Sequence, residues 1–402
     1  MREQFLDEMF ARFEAQAVPT FRPPGVAAAQ RRVRDRRRRR RGLLAGITAL
    51  LVGGPAGALA VADHDPTPVP PVPPAPTVTA GPALTEQKVT VAEAAGGLRR
   101  LRFVDARHGW ALFDTCDRPD QVTQGCRRTL ARTTDGGMTW QGRELPSAKS
   151  SSQLYAADDR TAIVISGDEY VTTSDGGASV ASSTLRSPSR DAQRAWATAS
   201  GYRLVCPSPD GSCEGVRIGR VGGGKVGQPP LAAGDGAGSV HVLEGGDGRV
   251  WVAVVDSDRV VAAVSADGTA SWRRLPAVKG AGALLLSPDG GDAWLVGSTA
   301  PQPVWQLIDG RWQKRGTLPA DAYSVAAAGE GQLVVTGANG GAGVWRDGRY
   351  ADLPELSDAL EVEEGFATPA TVEVARDGTI TFTQGATWIL GSLKTRTWTE
   401  FS

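Results

Sequence analysis

The sequence predicts an all-β fold, a seven-bladed β-propeller, preceded by a cytoplasmic amphipathic helix and one transmembrane helix. Three observations carry this expectation. Past residue 97, short Val/Leu/Ala/Trp runs alternate with Asp-Gly, Gly-Gly and Asn-Gly turns, and no segment keeps a helical period. Turn-and-aromatic landmarks end at positions 140, 180, 272, 312, 350 and 398, at intervals of 40, 92, 40, 38 and 48. The interval of 92 is two periods of 46, so one unmarked unit near residues 191–231 brings the total to seven. Units of about 40–45 residues built from four strands are the size of a propeller blade, and closing the ring leaves only short sheet edges. The third observation is a charge split. The 402 residues are neutral overall, yet residues 1–42 hold twelve arginines against five acids, and the other 360 hold 32 basic and 39 acidic residues. A net of +7 before residue 43 and −7 after it is a membrane signature, whereas a neutral total excludes a wholly basic nucleic-acid binder. No nucleic-acid partner is expected.

Four segments follow in order. Residues 1–42 form a basic cytoplasmic tail whose first residues place Phe5, Met9, Phe10 and Phe13 on one helical stripe, ended by Pro19. With no core of its own to cover it, this stripe is either a docking face for a cytoplasmic partner or a helix lying on the inner membrane surface. The arginines of residues 31–41 set topology and meet anionic lipid. Residues 43–62 contain no charge and span about 30 Å as a helix, the thickness of a bilayer core. Positive residues remain inside, so the tail is cytoplasmic and the remainder is extracytoplasmic. The alternative is a signal peptide cleaved near Ala62, since Ala60-Val61-Ala62 fits the small-residue cleavage pattern and the product would be secreted. Residues 63–97 are read as an extracellular stalk, with eight prolines between 66 and 82 favouring extended polyproline II. Residues 98–402 make the propeller domain.

Within the propeller, Thr133-Thr134-Asp135-Gly136-Gly137-Met138-Thr139-Trp140 matches the Asp-box pattern S/T-x-D-x-G-x-T-W at every specified position. The unit at Thr173 to Val180, around Asp175, lacks only the aromatic, and the unit at Ser265 to Trp272 keeps Ser265, Asp267, Ser271 and Trp272. In such a turn the carboxylate accepts backbone N–H bonds, glycine supplies positive φ, and the aromatic folds into the hydrophobic layer. The structural reading of Thr133, Asp135, Gly137, Thr139, Trp140, Asp175, Asp267 and Trp272 is therefore a staple without chemistry. An earlier strand of several units carries a second landmark, as in His108-Gly109-Trp110-Ala111-Leu112, Val250-Trp251-Val252 and Ala293-Trp294-Leu295. On these residues the chain resembles sialidase-type Asp-box propellers, the bacterial neuraminidase repeat group. It is also similar to photosystem-assembly-factor-like propellers, which pair an H-G-W-A strand with a T-x-D-G-G-x-T-W turn. The anchored, Arg-rich form looks like actinobacterial surface proteins.

The sialidase resemblance implies an arginine triad for the substrate carboxylate and a Tyr nucleophile with a Glu partner. Phe21-Arg22-Pro23-Pro24 is the string nearest to the first arginine's motif, and it lies before the apolar segment, outside the propeller. None of the five tyrosines stands beside a matching Glu, and the three histidines His64, His108 and His241 are dispersed. No catalytic residue, metal or cofactor is expected. Val221-Gly222-Gly223-Gly224-Lys225 lacks the spacing of a phosphate loop and reads as a blade turn. Cys116 with Cys126, and Cys206 with Cys213, flank short insertions and read as local disulfides, consistent with an oxidising exterior. The functional expectation is a binding module for an extracellular protein or glycan, met at the loops that carry those cysteines. Two alternatives remain: a sialidase-superfamily glycoside hydrolase, and a transmembrane sensor whose N-terminal helix holds a cytoplasmic regulator.

Overall fold

The computed structural model describes residues 83–402, apart from 93, 95, 116–124, 149, 206–215, 232–238, 257–258, 270 and 361–367. They belong to one compact unit, Val78–Ser402. The tail stripe of Phe5, Met9, Phe10 and Phe13, the arginine cluster, the apolar run 43–62 and the proline residues 66–82 lie outside the described residues. Among the described residues no helix is long and apolar enough to cross a membrane.

The described chain folds into seven sheets, taken here in chain order. The first contains Gly97–Phe103, Gly109–Asp114, Cys126–Thr133 and Gln141–Ala148. The second contains Gln153–Ala156, Ala162–Ser166, Glu169–Thr173 and Ala181–Thr184. The third, in the region of the unmarked repeat, has only Tyr202–Leu204 and Ile218–Arg220. The fourth is built from Ser239–Glu244, Val250–Asp256, Arg259–Ser265 and Arg273–Arg274, with Val278–Lys279 also paired to its third strand. The fifth contains Ala281–Leu286, Ala293–Gly297, Pro303–Ile308 and Arg311–Thr317, and the sixth Ala322–Gly329, Gln332–Gly337, Ala342–Arg346 and Arg349–Asp352. The seventh runs Thr371–Val374, Ile380–Gln384, Thr387–Gly391 and Thr397–Phe401. Every consecutive pair within a sheet is antiparallel, as expected of short strands joined by tight turns.

Side chains alternate between the two faces of a strand, so a strand packed on both faces must be apolar throughout. Second strands come closest to this: all six residues of Gly109–Asp114 and all five of Ala293–Gly297 are buried, and only Asp114 among them carries a polar side chain. Trp110, Trp251 and Trp294, each about 1% exposed, occupy this strand and point toward the next sheet in the chain. Their neighbours Ala111, Val252 and Leu295 point toward the preceding one. The outermost strands are different: Gln141–Ala148 exposes six of its eight residues. Burial is therefore greatest at the second strand and falls toward the outermost one.

Seven hydrophobic clusters tie the seven sheets into a cycle. Leu112 and Leu130 meet Leu154 and Val164 between the first and second sheets. Ile163 and Tyr170 meet Ala192, just ahead of the third. Tyr202 and Ile218 meet Val250 and Val252, and Trp251 and Val260 meet Leu284 and Leu295. Trp294 and Val304 meet Leu333 and Trp345, while Val334 and Ala342 meet Phe382 and Trp398. The last cluster returns to the start, packing Trp388, Leu390 and Phe401 of the seventh sheet on Leu101, Ala111 and Phe113 of the first. This is the packing of a β-propeller.

The closing seam corrects the boundary expected at residue 98. Ala83–Gln87 lies within residues read as stalk, yet it pairs in parallel with Thr397–Phe401 as a fifth strand of the seventh sheet. Val89 beyond it is buried in the closing cluster, and its amide donates to the Ser402 carbonyl at 3.0 Å. The reason is local chemistry: the prolines stop at Pro82, so from Ala83 on every backbone amide can enter a ladder, and the apolar Val89 and Val91 follow. The seam is completed by Phe401 against Phe103, with ring centroids 5.3 Å apart.

Because Trp251 and Phe401 are both fully buried and belong to different clusters, each replacement by alanine is expected to destabilise the unit by about 3–5 kcal/mol. Urea unfolding should show Phe401→Ala losing as much stability as Trp251→Ala. A negligible loss at Phe401 would mean that the seam contributes little.

Candidate functional site

The turn at Thr133–Trp140 joins the third and fourth strands of the first sheet. Thr133 Oγ1 donates to Asp135 Oδ1 at 2.8 Å and accepts the Gly137 amide at 2.9 Å. Asp135 also accepts the Thr139 amide at 2.9 Å and the Thr139 hydroxyl at 2.6 Å, while Trp140 Nε1 donates to the Gly137 carbonyl at 2.9 Å. Gly136 and Gly137 have φ of 76° and 91°, the conformation that lets the chain double back so tightly. Trp140 is partly buried and stands edge-on to Phe103. The Asp175 turn repeats these bonds, from Thr173 and from the amide and hydroxyl of Ser179, again over two left-handed glycines.

The Asp267 turn departs from this pattern. Its carboxylate accepts the amide and hydroxyl of Thr269, two residues on, instead of those of Ser271, four residues on. Only Gly268 of the central pair is glycine, so the double left-handed turn is not made. Trp272 is turned toward the third sheet, where its Nε1 donates to the Gly227 carbonyl at 3.0 Å. Tyr350, expected at a packed aromatic end, is 37% exposed because it lies on an outermost strand, with its ring over Gly343. His108 closes a separate local turn, with Nδ1 2.8 Å from Asp105 Oδ2. Among the described residues, no group of three or more His, Cys, Asp or Glu is placed to hold a metal ion.

Cys126 is buried at the start of the third strand of the first sheet. Cys116, Cys206 and Cys213 lie outside the described residues, so the pairing expected for it stays an expectation. Both cysteine insertions depart from the strand ends opposite to the Asp135 turn, at Asp114–Cys126 and Leu204–Ile218.

Two clefts lie at the other strand ends, around the irregular third unit. Where an inner strand would stand in a regular sheet, the chain forms a single turn of 3-10 helix, Ala192–Trp196. The space left beside it is a cleft of about 280 Å³ whose wall includes Arg102, Phe103, Tyr155, Arg194, Thr198 and Glu373, contributed by the inner strands of the first, second and seventh sheets and by the helical turn. Trp196, at the end of the helical turn, is 48% exposed and stands edge-on to Tyr155 of the cleft wall at 5.3 Å and to Tyr170 at 6.2 Å.

Charges in the centre are matched in pairs. Arg102 Nη1 bonds Glu373 Oε2 between the first and seventh sheets. Arg194 Nη2 bonds Asp158 Oδ2 at 2.7 Å; burial pushes the Asp158 carboxyl up, but this bond and the Arg160 amide outweigh it and hold the group below its ordinary value. Arg376, in the turn after the inner strand of the seventh sheet, reaches Glu244 at the end of the inner strand of the fourth, 3.1 Å away. Since these sheets are not neighbours, this pair spans the ring. Glu244 also accepts the Ser200 amide at 2.8 Å and the Ser200 hydroxyl at 2.6 Å, so its acidity rises although burial opposes it. Three arginines thus approach the centre, each already facing a carboxylate, and the Tyr155 hydroxyl donates to Gln153 Oε1 at 2.9 Å.

None of these central residues was singled out in the sequence, because they lie up to 271 positions apart and each sits in an ordinary context. One signal existed. Trp196 follows neither the His-Gly-Trp strand nor the Asp-Gly turn pattern that accounts for Trp110 and Trp140.

No family model matches this chain, and no curated protein matches it. Solved structures similar to it include YCF48 bound to D1 peptide, at 15% identity over 77% of this chain and 83% of that one, with a TM-score of 0.31. The β-propeller domain of the Trilobed protease from Pyrococcus furiosus is similar at 10% identity over 73% and 94%, with a TM-score of 0.44. A prolyl endopeptidase is similar at 14% identity over 75% of this chain and 49% of that one, with a TM-score of 0.48. At such distances the β-propeller assignment rests on sheet order and packing.

The Asp135 turn makes a pH prediction. Hydrogen bonds from the Thr139 hydroxyl, the Thr139 amide and the Thr133 hydroxyl hold its carboxyl at about 2, below the ordinary 3.8. A depressed carboxylate stabilises the folded state above its unfolded value, and that contribution is lost as pH falls through the folded one. The melting temperature should therefore fall between pH 3.8 and about 2 more steeply in the wild type than in Asp135→Asn, which should already melt lower at neutral pH. Parallel melting curves in that window would remove the turn as an acid-sensitive staple.

Proposed function

We propose that the chain is a membrane-anchored, extracytoplasmic seven-bladed β-propeller that acts by binding a protein segment or a glycan, with no catalysis of its own. The seven sheets are taken as seven blades, and the charge split at residue 42 supports the orientation. The ligand-binding element is the cleft beside the helical turn 192–196, and the exposed Trp196 is the observation that carries this reading. An aromatic ring that folding leaves half in water, steadied edge-on by two tyrosines, offers a rigid apolar face that loses little side-chain entropy on binding. The Arg102–Glu373 pair on the cleft wall supplies both donors and acceptors for hydroxyl or peptide groups without a net charge to neutralise. Internal pairing of Arg102, Arg194 and Arg376 supports binding over sialidase-type hydrolysis, which needs arginines turned to the substrate carboxylate.

The full-length chain in detergent should retain binding to a subset of immobilised glycans or peptides, and Trp196→Ala should weaken it at least tenfold, the scale of an aromatic contact of about 2 kcal/mol. Unchanged binding by Trp196→Ala would reject this cleft. Fluorophore release from a sialoside substrate by the wild type would replace binding with hydrolysis as the activity.

A further inference from the structure

We propose that a second cleft, on the far side of Arg194, is a site for a tetrahedral oxyanion, the phosphate or sulfate group of a larger ligand. This goes beyond the preceding reading and does not depend on what occupies the Trp196 cleft. The space is about 450 Å³ and its wall includes Arg190, Asp191, Arg194, Arg220, Gly222 and Gly223. Arg194 is offset by Asp158, but Arg190 and Arg220 are in no ion pair among the described residues. Two guanidinium groups therefore face one carboxylate, that of Asp191, and the cleft keeps a positive balance.

Arg220 is pre-set for such a ligand. Its Nε donates to the Ser200 carbonyl at 2.9 Å and its guanidinium lies 5.4 Å over the Tyr202 ring, which fixes the fork and leaves its terminal nitrogens for an acceptor. Arg190 is brought in from the other side by the glycine turn that sequence spacing had set aside. Gly222 and Gly223 have φ of 84° and 83°, and a Cβ at Gly222 would stand 2.3 Å from Arg190 Nη2. Any side chain there would displace the guanidinium, so the glycine makes room for Arg190. Lys225, exposed at the end of the same turn, adds to the field. A concave wall concentrates that field, which favours a dianion over bulk chloride.

Isothermal titration of the full-length chain in detergent, at physiological ionic strength, with inorganic phosphate, sulfate and acetate in turn tests the site. Wild type, Arg190→Ala and the double variant Arg190→Ala/Arg220→Gln are compared. The arginines of residues 31–41 are common to all three, so differences between isotherms report on the cleft. The expected result is saturable binding of phosphate or sulfate, weakened at least tenfold by Arg190→Ala and further by the double variant, with acetate weaker. Whichever of phosphate and sulfate binds more tightly indicates a phosphorylated or a sulfated ligand. Arg190 makes no hydrogen bond among the described residues, so its variant should melt like the wild type. Trp196→Ala should leave anion binding unchanged, which separates this site from the aromatic cleft. The proposal is overturned if the three isotherms coincide, if acetate binds as well as phosphate, or if no binding appears in the millimolar range.

Discussion

The structure depends on one packing requirement: a sheet whose second strand is apolar on both sides must be covered on both faces. Gly109–Asp114 and Ala293–Gly297 are buried throughout, so neither sheet could be stable as the end of a stack. A linear array would leave two such faces in water, and a closed cycle leaves none. The cluster that joins the seventh sheet to the first is thus the element through which the other six persist. It is assembled from distant parts of the chain: Val89 near one end, Phe103 and Ala111, and Phe401 near the other. Parallel pairing of Ala83–Gln87 with the last strand adds a backbone seam to this apolar one. In the proposed topology, the segment that leads from the membrane is also the segment that holds the ring shut.

Local turn chemistry answers to the same requirement. The Asp135 and Asp175 turns satisfy their own polar groups within eight residues, so they can cap strand ends without borrowing partners from the core. Where one glycine of the pair is missing, at Asp267, the carboxylate binds closer residues, and the freed Trp272 packs across to the third sheet. The sheet with the fewest described strands thereby receives support from its neighbour.

That third sheet is also where recognition is proposed. With two described strands and a helical turn in place of an inner strand, it leaves space on both sides of Arg194 that a regular sheet would fill. An ion pair with one partner in solvent contributes modestly to stability. Arg376–Glu244, which joins sheets across the ring, is better understood as fixing the shape of the centre. An irregular unit in an otherwise repetitive fold offers concave surface that the repeats cannot supply.

The sequence by itself determined the repeat, the turns and the buried tryptophans, because each is written within a few consecutive residues. Period-two burial, glycine at left-handed positions and Asp-Gly turns are local rules, and Trp110, Trp251, Trp294 and Asp135 obey them. The start of the folded unit was misjudged because Ala83–Gln87 has a strand partner more than 300 residues away. The central residues were illegible for the same reason. Arg102 with Glu373, Arg376 with Glu244, and the Trp196–Tyr155 contact exist only once the ring has brought distant inner strands to a common axis. Which charges are neutralised, and which arginines are left facing solvent in a cleft, follows from through-space distances that no spacing along the chain encodes; only the tertiary structure decided them.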